Sequence, residues 1–170
     1  MPVYFALSHL CFCLFRTPLV TSSFIPTDPE ATLMSIPALE ALLKRDFPQI
    51  YLHGPLYTIL EAGHGKSRLR LAYHDSQLRP GGTLSGPAMM TLADLALYVA
   101  VLASVGPVTL AVTTNLSINF LNKPKPCALI ADCTLIKIGK RLAVGDVRIH
   151  SEGDLVLVAH ATGTYSLPSR

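Results

Sequence analysis

The sequence contains no tryptophan, and its lysines and arginines form no run longer than two. Its 14 Lys and Arg stand against 11 Asp and Glu, a formal charge of +3 scattered along the chain. A basic stripe with interleaved aromatics, the footprint of nucleic-acid binding, is missing; no nucleic-acid partner is expected. The six histidines are dispersed with no pair at i, i+4, although His150 and His160 could be neighbours across a sheet. The four cysteines, Cys11, Cys13, Cys127 and Cys133, do not fall at zinc-ligand spacing. Neither a metal nor another cofactor is expected. The cysteines read as small buried hydrophobes of a reducing compartment, which implies the cytoplasm. A Gly-x-Ser-x-Gly nucleophile elbow and a Gly-rich phosphate loop are both absent.

What the chain has instead is apolar bulk. Half of its 170 residues are hydrophobic and 15% are charged, which is apolar for a monomer and points to a subunit interface or a hydrophobic leader. The apolar content concentrates in one stretch, from Ser85 to Leu102, whose only charge is Asp94. Ser85, Gly86 and Pro87 read as a helix start with a capping hydroxyl. A helix apolar on every side belongs in a core or a membrane. A span is disfavoured by Asp94 near its centre, at a cost of about 2.5–3.5 kcal/mol, and by the lack of flanking basic clusters. No membrane is expected. A carboxylate inside such a helix is costly unless paired, protonated or used.

The rest of the chain supplies the strands. Residues 1–33 are apolar and aromatic, then rich in Pro, Ser and Thr. They read as an N-terminal extension outside the fold, with a weak targeting leader or a true start at Met34 as the other options. A domain is expected over 34–170. Residues 35–47 predict an amphipathic helix capped by Ser35. Strands are expected at 56–62 and 67–73, joined by a hairpin-like turn, and a loop at 74–84. Beyond Gly106-Pro107, residues 109–121 alternate, with Leu110, Val112, Leu116, Ile118 and Phe120 on the buried side. Strands at 128–137, 142–150 and 155–165 follow, and with 109–121 they read as a four-stranded antiparallel meander. One sheet with one apolar face, and one apolar helix to cover it, predicts an α+β fold in which the sheet wraps the helix. The exposed edge and face that remain predict a dimer and a larger assembly beyond it.

This residue order resembles the hotdog-fold thioesterases of the phenylacetic-acid-degradation type. The resemblance lies in Gly82-Thr83-Leu84-Ser85-Gly86 followed by Leu92-Ala93-Asp94, in Val112-Thr113 through Asn119-Phe120-Leu121 with Pro124, and in Gly139-Lys140-Arg141-Leu142-Ala143. It covers residues 50–166. It implies hydrolysis of an aryl or short to medium acyl-CoA thioester at a homodimer interface, with a homotetramer as the fuller assembly. By position, Asp94 matches the family's nucleophile or general base, and Gly86 the backbone N–H that polarises the thioester carbonyl. Thr113 matches a small hydroxyl that holds water. Ser85 and Pro87 stand where the family has His and Gly, and Arg79 where relatives often carry Asn. A guanidinium there could pair with Asp94, or bind a phosphate or carboxylate of the substrate. Lys123, Lys140 and Arg141 sit at turns and either are merely solvated or meet the nucleotide phosphates. The departures at Ser85, Pro87 and Arg79 keep open a second reading, a hotdog scaffold that binds an acyl thioester without turnover.

Overall fold

The computed structural model describes residues 34–169; the expectations for residues 1–33, Cys11 and Cys13 included, lie outside the described residues. Helix α1 (Ile36–Asp46) buries Leu39, Leu42 and Leu43, and carries Lys44 and Arg45 in its last turn, where cations suit the helix dipole. Ser35 occupies the N-cap position, but its side chain makes no capping bond, contrary to expectation. Strands β1 (Tyr57–Gly63) and β2 (Lys66–Leu71) form a hairpin. The following loop holds a miniature two-stranded ladder of β3 (Leu78–Arg79) and β4 (Thr83–Leu84). It feeds helix α2 (Gly86–Val105), and β5 (Val112–Phe120), β6 (Leu129–Ile138), β7 (Leu142–Ser151) and β8 (Leu157–Ser166) complete the chain.

The six long strands form one antiparallel sheet in the order β1-β2-β6-β7-β8-β5. The four-stranded meander is therefore corrected: β6, β7 and β8 are sequential neighbours, but β5 pairs with β8 and not with β6. The hairpin β1–β2 has taken the free edge of β6. The segment Lys123-Pro124-Lys125-Pro126 crosses to that strand instead of folding back, its two prolines lacking the N–H groups that a ladder needs. A register shift between Thr113 and Asn115 also breaks the expected alternation of β5. Only Leu116 and Ile118 sink toward the helix, while Val112 and Phe120 are 57% and 51% exposed.

The inner face of the sheet curls around α2. From Leu92 to Ser104 every residue of α2 except Asp94 is buried, so a helix long and apolar enough for a membrane span is the core of this fold. The sheet admits it because five inward positions of β7 and β8 are small: Ala143, Gly145, Ala159, Ala161 and Gly163. Gly145 and Gly163 face each other across the two strands, and Leu97 of α2 seats one methyl over each. A Cβ at Gly145 would lie 2.4 Å from Leu97 Cδ2; at Gly163 it would lie 2.4 Å from Leu97 Cδ1. Cys133 is buried on the same inner face, and burial pushes its thiol up to about 12, in keeping with a small hydrophobe.

The outer face is polar. One cross-strand row reads Glu61, Arg68, Asp132, Arg148, His160, Asn119 from edge to edge. Arg68 meets Asp132 at 3.4 Å, His150 Nε2 meets Asp132 Oδ2 at 3.0 Å, and His160 bonds Asp146. The two histidines are thus partners of different aspartates. They do not pair with each other: His160 faces Arg148, and His150 faces Leu157.

Candidate active site

Asp94 is the polar interruption in the buried run of α2, and the fold answers it with two hydroxyls. Thr113 Oγ1, at the start of β5, donates to Asp94 Oδ1 at 2.6 Å. Tyr165 OH, near the end of β8, donates to the same Oδ1 at 2.8 Å and to the Asp94 carbonyl at 3.1 Å. No bond from the described residues reaches Oδ2. The carboxylate is thus fixed through one oxygen and open at the other. Tyr165 is itself held by stacking on Tyr98, with ring centroids 5.9 Å apart. Burial, and next the negative charge of Asp94, push the Tyr165 phenol well above its ordinary range, so it remains a donor.

Tyr165 was not singled out in the sequence, where it ends a strand and lies far from the helix motif. The available signal was its place on the inward face of Ala161, Gly163 and Tyr165, since a phenol in a core needs a partner for its O–H. We expect Tyr165→Phe to keep the stacked ring and lose the bond. Stability should fall by about 1 kcal/mol, and kcat by about tenfold with KM little changed. Steady-state kinetics beside thermal unfolding checks the split; an unchanged kcat would remove Tyr165 from the site.

Gly86 opens α2 at the other end of the motif. Ser85 Oγ accepts from Ala88 N at 3.3 Å, so the Ser85 hydroxyl is a helix cap and satisfies one free donor. The Gly86 N–H takes no partner among the described residues. Gly86 lines a groove of about 620 Å³ whose walls include Arg79, Met89, Phe120, Lys123 and Pro124, a size typical of small-molecule sites. The ring of Phe120 approaches so closely that a Cβ at Gly86 would sit 3.2 Å from Phe120 Cζ. A side chain at this position would have to displace the Phe120 ring.

The fold thus brings Gly86, Arg79 and Lys123 to one groove, and Asp94, Thr113 and Tyr165 to another place. Gly86 and Asp94 are two turns apart on one rigid helix, about 12 Å along its axis at 1.5 Å per residue. Within one chain the groove that Gly86 lines does not include Asp94. Arg79 is exposed and forms no ion pair with Asp94 or any other described acid. Lys140 and Arg141 lie in the exposed β6–β7 turn, away from the groove; the residue after them, Leu142, is in register with Ser166, and Ser166 with Val112. That places the turn at the Asp94 end of the sheet.

A curled antiparallel sheet around an apolar helix, with an acid on that helix and a free N–H at its start, defines a hotdog-fold protein. Residues 81–158 match the model of the thioesterase superfamily. A protein of Saccharolobus solfataricus, provisionally named an esterase, is 32% identical over 78% of this chain and 85% of its own length. The crystal structure of a protein from Silicibacter sp. TM1040, provisionally named a thioesterase, is 41% identical, covers 83% of this chain and 96% of that one, and superposes with a TM-score of 0.75. A variant of phenylacetic acid degradation protein PaaI from Thermus thermophilus is 25% identical over 66% of this chain and 93% of its own, with a TM-score of 0.58. The chain belongs to the thioesterase superfamily, and it is a thioester hydrolase of the PaaI-like hotdog type.

Proposed function

We propose that the chain hydrolyses acyl-CoA thioesters in a site shared by two copies, the Asp94 of one facing the Gly86 of the other. The observation that carries this reading is the fixed Asp94 carboxylate, bonded through Oδ1 and open at Oδ2. Its geometry relative to Gly86 calls for the second copy. Strand β5 is a sheet edge with exposed apolar side chains at both ends, Val112 beside Thr113 and Phe120 beside Gly86. A two-fold axis near Leu116, at the middle of β5, sets the start of one β5 against the end of its partner. That symmetry covers the unpaired edge and brings each Asp94 toward the partner's groove.

In such a site the Gly86 N–H, at the positive end of α2, polarises the thioester carbonyl and holds the developing oxyanion. Asp94 Oδ2 takes the proton of a water that attacks the carbonyl carbon. The tetrahedral adduct then collapses, breaks the carbon–sulfur bond, and leaves free acid and the CoA thiol, to which the proton passes. Direct attack by Oδ2, with an anhydride then hydrolysed, uses the same two groups. Thr113 and Tyr165 keep Oδ1 occupied and so aim Oδ2.

Two defective chains test the shared site. Asp94→Asn removes the base, and Gly86→Val fills the groove mouth. Each variant alone should be nearly inactive. Mixed after dissociation, they should recover about one quarter of wild-type activity, because half the dimers are mixed and each carries one intact site of two. Mixed dimers without recovery would rule out a site shared in this way.

A further inference from the structure

The groove beside Gly86 carries an excess of positive charge that the hydrolytic reading leaves unused. Arg79 and Lys123 both line it, and none of its lining residues is acidic. The other arginines of the sheet are matched: Arg68 with Asp132, Arg70 with Glu152 and Arg148 with Asp146. Arg79 and Lys123 have no carboxylate partner among the described residues. The backbone of Arg79 is held, since β3 pairs Arg79 with Thr83 and the Arg79 carbonyl accepts from Gly82 N at 3.1 Å. Phe120, Met89 and Leu84 supply apolar wall to the same groove.

We infer that Arg79 is a specificity residue and that the acyl group hydrolysed here ends in a carboxylate: the substrate is the monothioester of a short dicarboxylic acid. This deepens the thioesterase reading and rests on it. A planar guanidinium binds a carboxylate through two parallel N–H bonds. The apolar walls accommodate the methylenes between that carboxylate and the carbonyl at Gly86, and Lys123 adds charge at the same groove. A CoA phosphate is the other anion of such a substrate. The long pantetheine arm sets it far from the reacting carbonyl, whereas Arg79 and Gly86 line one groove.

The test compares glutaryl-CoA with pentanoyl-CoA, which differ in the terminal group at equal chain length. Wild-type enzyme should favour glutaryl-CoA in kcat/KM. Arg79→Gln should reduce that preference about 10- to 100-fold, and Arg79→Lys by less, since it keeps charge without the fork. The same loss should appear on glutaryl- and pentanoyl-pantetheine, which carry no phosphate. An unchanged preference in Arg79→Gln overturns the inference. So does a loss that is equal for both acyl groups and vanishes on the pantetheine thioesters, which would assign Arg79 to a phosphate. Calorimetric binding of the two CoA thioesters to Asp94→Asn protein, with and without Arg79→Gln, reads the same preference without turnover. Inert wild-type enzyme would therefore overturn the catalytic reading alone, and the binding ratio would still decide the subsite.

Discussion

Asp94→Asn is expected to lower kcat for acyl-CoA hydrolysis by about 10²–10⁴-fold, the range for a positioned general base, while the protein remains folded. The substitution is close to isosteric, and the amide oxygen still accepts from Thr113 Oγ1 and Tyr165 OH, the two bonds that now hold Oδ1. What changes is the open position: an NH₂ replaces Oδ2, and it neither takes a proton from water nor attacks a carbonyl. Asp94→Ala is a less clean probe. It strips Thr113 of its acceptor and leaves Tyr165 only the backbone carbonyl, so part of its loss is structural, about 1–3 kcal/mol for unpaired donors in a partly buried site. Single-turnover thiol release beside thermal melts separates the effects. Wild-type rates in Asp94→Asn would remove the carboxylate from the chemistry.

The second large effect is on stability. Gly145→Ala and Gly163→Ala should each cost about 2–3 kcal/mol, at the upper part of the range for overpacked cores, and valine at either place more. The clash is with the end of a leucine side chain, which ordinarily yields. Leu97 has no room to yield: it is 1% exposed, and its two methyls already rest on the two glycines. Rotating one methyl away from Gly145 moves the other against Gly163. Leu97→Ala alone should cost about 2–5 kcal/mol as a cavity. Combined with either glycine substitution, it should cost clearly less than the sum, because the new Cβ fills space the leucine vacates. Additive losses in chemical denaturation would refute the notch.

The central helix, its cap and its acid were legible because they are local. Ser85, Gly86, Pro87 and the apolar run lie within a few turns, and the cap forms as read. The sheet's wrapping of the helix followed from one apolar face and one apolar rod. The neighbours of β5 were not legible, since an alternating strand states which side is buried but never which edge it meets; the β1–β2 hairpin, placed earlier in the chain, decides that. Tyr165 escaped for a related reason: its partnership with Asp94 spans 71 positions of sequence. The spacing of Gly86 and Asp94 already says that one chain does not bring them together. Two turns of helix are too long for one carbonyl to touch both ends.

The outer row of Glu61, Arg68, Asp132, Arg148 and His160 has a consequence for how the chain finds its fold. A slip of one residue between strands would turn apolar side chains outward, and the hydrophobic pattern forbids it. A slip of two leaves every residue on its proper face, so the alternation of apolar and polar residues does not penalise it. Between β6 and β7, charge does. In the native register Asp132 faces Arg148; sliding β7 by two in one direction would set Asp132 against Asp146, two like charges directly opposed. The charged row outside and the glycine notch inside thus select the same β6–β7 register from opposite faces of the sheet.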